Sequence, residues 1–237
     1  MLRLSLLFLA LVAAASAAHD SPWFLGLDGG VYLDSGGRIQ RVGLGSGSSL
    51  AVFGQTAYLI GLDQCVWTAD PAGDWRQLDS IGRGRKVVVD SEGTVYLLGL
   101  DGGVYQFTGG GWKRLGLATA ADLAAGGPGQ LFVIGTDGHV WSSPGQGKWS
   151  VYNALALGKR VAAARDGTVY VIGTDNGVYR VGSGQIQRLG LATGQDVAVG
   201  TAGQVGIVGM DNGVYIYDGS GWRRLGSGMA KQVAWPQ

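Results

Sequence analysis

The sequence has 237 residues, of which 45 are glycine and 5 proline, and its 18 basic side chains nearly balance 17 acidic ones. A net charge of +1 gives no electrostatic footprint for nucleic acid or an anionic membrane, and 46% hydrophobic residues exclude a disordered chain. The single cysteine, Cys65, excludes an internal disulfide framework and a cysteine-built metal cluster, and the scarcity of helix formers beside abundant Gly, Val, Tyr and Trp argues against a helical bundle.

Arg3, the apolar run Leu4 to Ala15 and the small residues Ala15-Ser16-Ala17 predict a secretory signal peptide over residues 1–18. The run is too short to span a bilayer, so an integral membrane protein is not expected. The expected mature chain, residues 19–237, is one exported domain, extracellular, or periplasmic if the source is bacterial. It contains no Asn-x-Ser/Thr sequon.

From Gly26 onward a heptapeptide, Gly-x-Asp-x-x-Val-aromatic, recurs at Gly26, Gly61, Gly99, Gly135, Gly173 and Gly209, at spacings of 35 to 38 residues. Its last position is Tyr32, Trp67, Tyr105, Trp141, Tyr179 and Tyr215 in turn. The first copy has only the signal peptide where a preceding strand should stand. The third and fourth steps offer small, β-prone first strands, Leu123-Ala-Ala-Gly126 and Val161-Ala-Ala-Ala164. The fullest copy reads as four short strands: Asp196–Gly200, Gln204–Gly209, Val214–Tyr217 and Trp222–Leu225, separated by Gly-, Asn- and Asp-rich turns. After it comes Val233-Ala-Trp235, eight residues beyond Leu225, the step that also separates Leu189 from Val197 and Leu115 from Leu123. Four antiparallel strands per repeat predict an all-β, six-bladed β-propeller. Its ring would be closed by the C-terminal strand joining the N-terminal blade, which removes an exposed sheet edge.

Val197-Ala-Val-Gly200, Arg165 to Arg180, Gly203 to Leu225 and the stretch around Thr94-Val95-Tyr96 together resemble the tectonin repeat, and the resemblance covers essentially the whole mature chain. It implies a six-bladed propeller lectin, with bacterial lipopolysaccharide, acetylated amino sugars or methylated glycans as ligands and a place in innate defence. Two copies depart from the pattern, with Ile39 and Ile186 where tectonins carry the fourth-strand Trp. The cysteines of some secreted animal members are absent as well.

Catalytic chemistry finds no constellation. His139 is the one internal histidine and shares a turn column with Cys65, but in another repeat, so the pair implies no common geometry. No metal motif, P-loop or cofactor fingerprint occurs, and neither catalytic nor metal-binding residues nor a cofactor are expected. Asp28, Asp63, Asp101, Asp137, Asp175 and Asp211 look like a carboxylate ring, yet an Asp before Gly or Asn is a turn signal, and identity in every copy fits a structural duty per repeat. The candidate ligand-binding residues are Trp75, Trp112, Trp149 and Trp222, which open the fourth strand and could stack on sugar rings. Arg41, Arg76, Arg114, Arg188 and Arg224 lie close by to bond hydroxyls or acidic groups. Packing between blades and solvation of an outer edge are the structural alternatives for these two sets. Trp67, Trp141 and Trp23 read as core.

Two functions follow. The first is a non-enzymatic secreted lectin whose several equivalent inter-blade sites combine into avidity. The second is an interaction scaffold without sugar binding, holding a protein partner through the basic loop of Arg83, Arg85 and Lys86. Neither nucleic acid nor an enzyme substrate is expected as a partner.

Overall fold

The computed structural model describes residues 21–117 and 119–237; the expected signal peptide and His19 lie outside the described residues. Among the described residues there are twenty strands and no helix, so none is long and apolar enough to cross a membrane. β1 (Trp23–Gly26), β2 (Gly30–Ser35) and the first half of β3 (Arg38–Phe53) frame the first heptapeptide. The rest of β3, with β4 (Thr56–Gly61), β5 (Val66–Ala69) and β6 (Arg76–Gln77), frames the second. The third lies in β7 (Gly84–Val89), β8 (Val95–Gly99), β9 (Val104–Phe107) and β10 (Trp112–Arg114). The fourth lies in β11 (Ala120–Ala125), β12 (Leu131–Gly135), β13 (His139–Ser143) and the start of β14 (Ser150–Ala163). The end of β14, β15 (Val169–Gly173), β16 (Gly177–Gly182) and the start of β17 (Gln185–Val199) hold the fifth. The end of β17, β18 (Val205–Gly209), β19 (Gly213–Tyr217) and the start of β20 (Trp222–Ala234) hold the sixth.

All these ladders are antiparallel, and the long strands each serve two units. β14, for example, pairs Trp141 with Val151 on one side and Val161 with Val171 on the other, with register shifts where it crosses over. Hydrogen bonding therefore runs unbroken from β11 through β20 to β1 and on to β6, while β7 to β10 form a separate four-stranded sheet. The last strand returns to the first: β20 pairs with β1 through Trp23–Ala234, Phe24–Val233 and Leu25–Gln232.

The heptapeptide is the joint between second and third strands, and its chemistry explains its fixed residues. The backbone N–H after the Asp donates to the carbonyl of the opening Gly, and that residue takes a left-handed conformation, with φ of 63–67° at Gln64, Asn176 and Asn212. The Asp Oδ1 then accepts the next backbone N–H at 2.9–3.0 Å in every copy. The opening glycine is required by close approach: a Cβ on Gly26 would stand 2.6 Å from the Asp28 carboxylate and 2.7 Å from the Tyr32 ring. The invariant valines (Val31, Val66, Val104, Val140, Val178 and Val214) are buried.

The core sits between units. Val88, Tyr96 and Val104 of the third pack on Leu123, Leu131 and Val133 of the fourth, and the same pattern recurs along the chain. The innermost strands touch in the cyclic succession β3, β7, β11, β14, β17, β20 and again β3. Polar side chains there latch each unit to the next: Ser49 Oγ accepts the Val87 N–H, Asp122 Oδ2 that of Val161 and Asp196 Oδ2 that of Val233. Gln232 makes the corresponding bond to Leu50, both accepting its N–H at 2.8 Å and donating to its carbonyl at 3.0 Å. At two positions of the series the side chain is a cation that cannot accept; Lys86 there binds Asp122 at 2.7 Å.

Candidate functional site

One face of the molecule carries both the heptapeptide turns and the crossovers from each fourth strand into the next unit. They are tied together, since Gly47 N–H donates to Gly29, Ala120 to Gly102 and Gly194 to Asn176. The crossovers carry Leu44, Ile81, Leu117, Leu155 and Leu191 at equivalent positions, 74–91% exposed. At three of them a groove opens beside the neighbouring unit, lined by Leu44, Leu117 or Leu155.

The fourth-strand tryptophans form one wall of this joint. The indole N–H of Trp75 donates to the Val42 carbonyl, that of Trp149 to Leu115 and that of Trp222 to Leu189, each reaching the preceding unit at 2.7–3.0 Å. Trp112 does so through the Asp79 carboxylate instead. All four are half-buried, so the indoles staple neighbouring units while leaving part of each ring uncovered. Trp112 and Trp222 further pack against Phe107 and Tyr217, with ring centroids at 5.2 Å.

The staple rests on glycine. Gly43 (φ 58°) and Gly73 (φ 90°) lie back to back beside Trp75, and Gly116 and Gly147 do the same beside Trp149. A Cβ on Gly43 would stand 2.3 Å from the Gly73 carbonyl oxygen. Gly43→Ala is expected to cost about 2 kcal/mol, from overpacking plus left-handed strain, read by urea unfolding. An unchanged midpoint would refute the close contact.

Around the turn, the units divide into two kinds. In the first, third, fifth and sixth, the heptapeptide Asp binds a Tyr hydroxyl at 2.6–2.9 Å and an Arg guanidinium at 3.1–3.8 Å: Tyr32 and Arg41, Tyr105 and Arg114, Tyr179 and Arg188, Tyr215 and Arg224. The backbone N–H and Tyr hydroxyl donors hold Asp28, Asp101 and Asp211 below the usual carboxylate range; for Asp175 the Tyr179 hydroxyl contributes most. In the second and fourth units the partner is an indole N–H, from Trp67 to Asp63 at 3.1 Å and from Trp141 to Asp137 at 3.2 Å. At Asp63 burial works upward, but the Cys65 and Trp67 donors outweigh it and the carboxyl stays low. The ladder position that holds Arg in the other units is Gln77 opposite Trp67 and Val151 opposite Trp141.

The grooves differ accordingly. That of the second unit, between Leu44, Leu62, Trp67, Trp75 and Asp63, measures about 650 Å³. Its counterpart between Leu117, Trp141, Trp149 and Asp137 measures about 620 Å³. In the fifth unit, with Tyr179, Asp175 and Ile186, it measures about 260 Å³. Sites expected to be equivalent are therefore not. Of the residues singled out in the sequence, Trp75 and Trp149 line open grooves, while Arg41, Arg114, Arg188 and Arg224 are engaged by carboxylates of their own units. Arg76 is exposed on the short β6. Trp67 and Trp141, expected in the core, are half-buried groove walls, whereas Trp23 is buried. The signal for the two grooves was in the sequence, where Trp in the seventh heptapeptide position coincides with loss of Arg from the position opposite it on the fourth strand.

The other sequence candidates are placed as follows. Cys65 is 1% exposed, burial pushes its thiol up, and Arg83 is bonded to its sulfur. His139 stands two units further on, at the start of β13, half-buried, its Nδ1 without a hydrogen-bond partner. Of the basic residues expected in one loop, Arg85 and Lys86 lie on β7; Arg83 also reaches the Ser80 carbonyl, Arg85 that of Ala120, and Lys86 the Asp122 carboxylate, so all three cations are bonded within the chain. Among the described residues no group of three or more His, Cys, Asp or Glu is placed to hold a metal ion.

Residues 124–237 match a family of β-propellers described as HVO_0234-like. No curated protein matches the sequence. Among solved structures, YCF48 from Cyanidioschyzon merolae superposes with a TM-score of 0.58 at 16% identity, over 86% of this chain and 80% of that one. The WD40 propeller domain of Doa1 gives 0.62 at 15% identity, over 86% and 78%. A gluconolactonase from Xanthomonas campestris gives 0.61 at 16%, over 82% and 80%. Likeness to proteins of such different activities speaks to the fold alone, and by fold this chain is a β-propeller.

Proposed function

We propose that this chain is an exported, six-bladed, closed propeller of the tectonin type that acts without catalysis, binding glycans, lipopolysaccharide included, in grooves between blades. The observation that carries the reading is the pairing of two indoles with a carboxylate, Trp67, Trp75 and Asp63 in one groove and Trp141, Trp149 and Asp137 in another. Indole faces suit the apolar face of a pyranose ring, and a carboxylate accepts from its hydroxyls. Two weak sites on one rigid disc gain avidity on a repetitive surface. Closure is supported by the return of β20 onto β1 and by the Gln232–Leu50 latch, and the count of six by the heptapeptides. A glycan array followed by calorimetry tests the function. Trp149→Ala is expected to weaken the affinity of its groove about tenfold, the loss of one stacking face. Absence of binding to any glycan or to lipopolysaccharide at millimolar concentration would refute the reading.

The five exposed aliphatic tips favour a second reading, a protein-interaction scaffold using the crossover face, since soluble surfaces seldom repeat large exposed apolar side chains in register. Replacing Ile81, Leu155 and Leu191 by Ser, which line neither of the two grooves, separates the two: a scaffold loses its partner, while a lectin keeps its sugar.

A further inference from the structure

The division of the units into two kinds points to a ligand that the glycan reading does not require. In the third, fifth and sixth units a guanidinium carbon lies 5.8 Å from the centroid of Tyr105, Tyr179 or Tyr215, and the same guanidinium pairs with the heptapeptide Asp at 3.1–3.7 Å. A cation thus stands against a carboxylate and over an aromatic face at once. In the second and fourth units both halves of that arrangement are kept while the position opposite the aromatic residue carries no cation. Asp63 and Asp137 remain, and form no ion pair among the described residues. The aromatic residue becomes Trp, whose ring attracts cations most strongly. The opposed residue becomes Gln77 or Val151, and a second indole, Trp75 or Trp149, lines the same groove.

We infer that these two grooves each bind an organic cation with apolar substituents, an alkylated ammonium group, held over the Trp67 or Trp141 indole and against the Asp63 or Asp137 carboxylate. The charge selects a cation because a negative side chain and electron-rich ring faces converge on a groove in which the chain places no positive one. The walls select an alkylated one because leucine and indole surfaces offer a strongly hydrated ammonium no compensation for lost water. The side chains of Arg114, Arg188 and Arg224 show that the fold tolerates a cation at this place. The inference goes beyond the glycan reading and is measured separately from it.

The test is a titration with choline, followed by the indole N–H resonances of the protein, beside its neutral isostere 3,3-dimethylbutan-1-ol. Choline is expected to shift the Trp67 and Trp141 signals with an affinity on the order of millimolar, and the isostere to bind about tenfold more weakly. The Gln77→Arg/Val151→Arg variant places the chain's own cation in each groove and should lose choline binding without losing its melting transition. Should that variant not fold, Asp63→Asn/Asp137→Asn, which keeps the acceptor for the turn N–H, reads the same loss. Equal affinity for choline and the isostere overturns the inference, as does undiminished choline binding by either folded variant. Either result leaves a positive glycan screen standing. Retention on phosphatidylcholine vesicles but not on phosphatidylglycerol vesicles assigns the cation to a lipid headgroup. Choline binding without retention assigns it to a free molecule. Both outcomes uphold the site.

Discussion

Removal of Lys231 to Gln237 is expected to leave a protein that aggregates or shows no cooperative melting transition. The segment contributes the innermost strand against β1, and without it Trp23, Phe24 and Leu25 lose their ladder partners and present an unpaired, apolar edge. It also removes Val233, Ala234 and Trp235, all buried, and the bidentate bond of Gln232 to Leu50. Trp235 packs closely on the sixth unit: a Cβ on Gly206 would stand 2.1 Å from its ring, and one on Gly200 3.0 Å. Deleting a buried Trp side chain costs about 3–5 kcal/mol by itself, and a whole domain is stable by only about 5–15 kcal/mol. The truncation therefore removes an amount comparable to the total. Scanning calorimetry with light scattering decides it, and a truncated chain that melts where the full chain does would end the case for ring closure. Trp235→Ala serves as the milder variant, expected to lower the melting temperature while keeping the strand pairing.

Gly206 shows how much of this could be read from the residues. In its column the other units carry Trp23, Tyr58, Tyr96, Phe132 and Tyr170, and only the sixth has glycine. The C-terminal Trp235 supplies the ring that the column lacks. The heptapeptide, the four-strand units and the return of the last strand were legible because each rests on local chemistry: an Asx turn, a buried Val, a period. The grooves were legible only as a pattern of residue types, because whether they open depends on how a crossover lies against the next unit, as Leu44 lies beside Trp67 and Trp75. Trp67 was assigned to the core on its heptapeptide position alone. Its exposure follows from Gln77 across the ladder and Leu44 on the preceding crossover, neither of which a single repeat contains. Likewise the arginines were read as free to meet a ligand, when the heptapeptide carboxylate thirteen residues earlier in sequence holds them, as Asp101 holds Arg114. Alignment of columns identifies residue types, and only the fold says which columns face each other.

Asp196→Asn is expected to stabilise the protein near pH 7.5 and to leave it unchanged near pH 4. Asp196 is buried on β17, where desolvation raises its carboxyl to about 6; the Lys86 charge and the Val233 N–H pull the other way without offsetting it. In the unfolded chain the group titrates near 3.8, its ordinary value. Between these values the folded state holds a proton that the unfolded state has lost. The stability contributed by this group therefore falls as pH rises through that window and stays low above it. A shift of about two units corresponds to about 3 kcal/mol. Asparagine keeps the oxygen that accepts the Val233 N–H, carries no charge at any pH, and so avoids the penalty. The carboxylates of Asp28, Asp63, Asp101, Asp175 and Asp211, held below their usual range, impose the opposite trend on the parent at lower pH, but they are common to both proteins and cancel in the difference. Urea unfolding of parent and variant at the two pH values isolates Asp196. A gain equal at pH 4 and pH 7.5 would mean that burial does not penalise the charged form, and a loss at pH 7.5 that the Asp196 carboxylate is stabilised as an anion by Lys86 and that the latch to Val233 needs its charge.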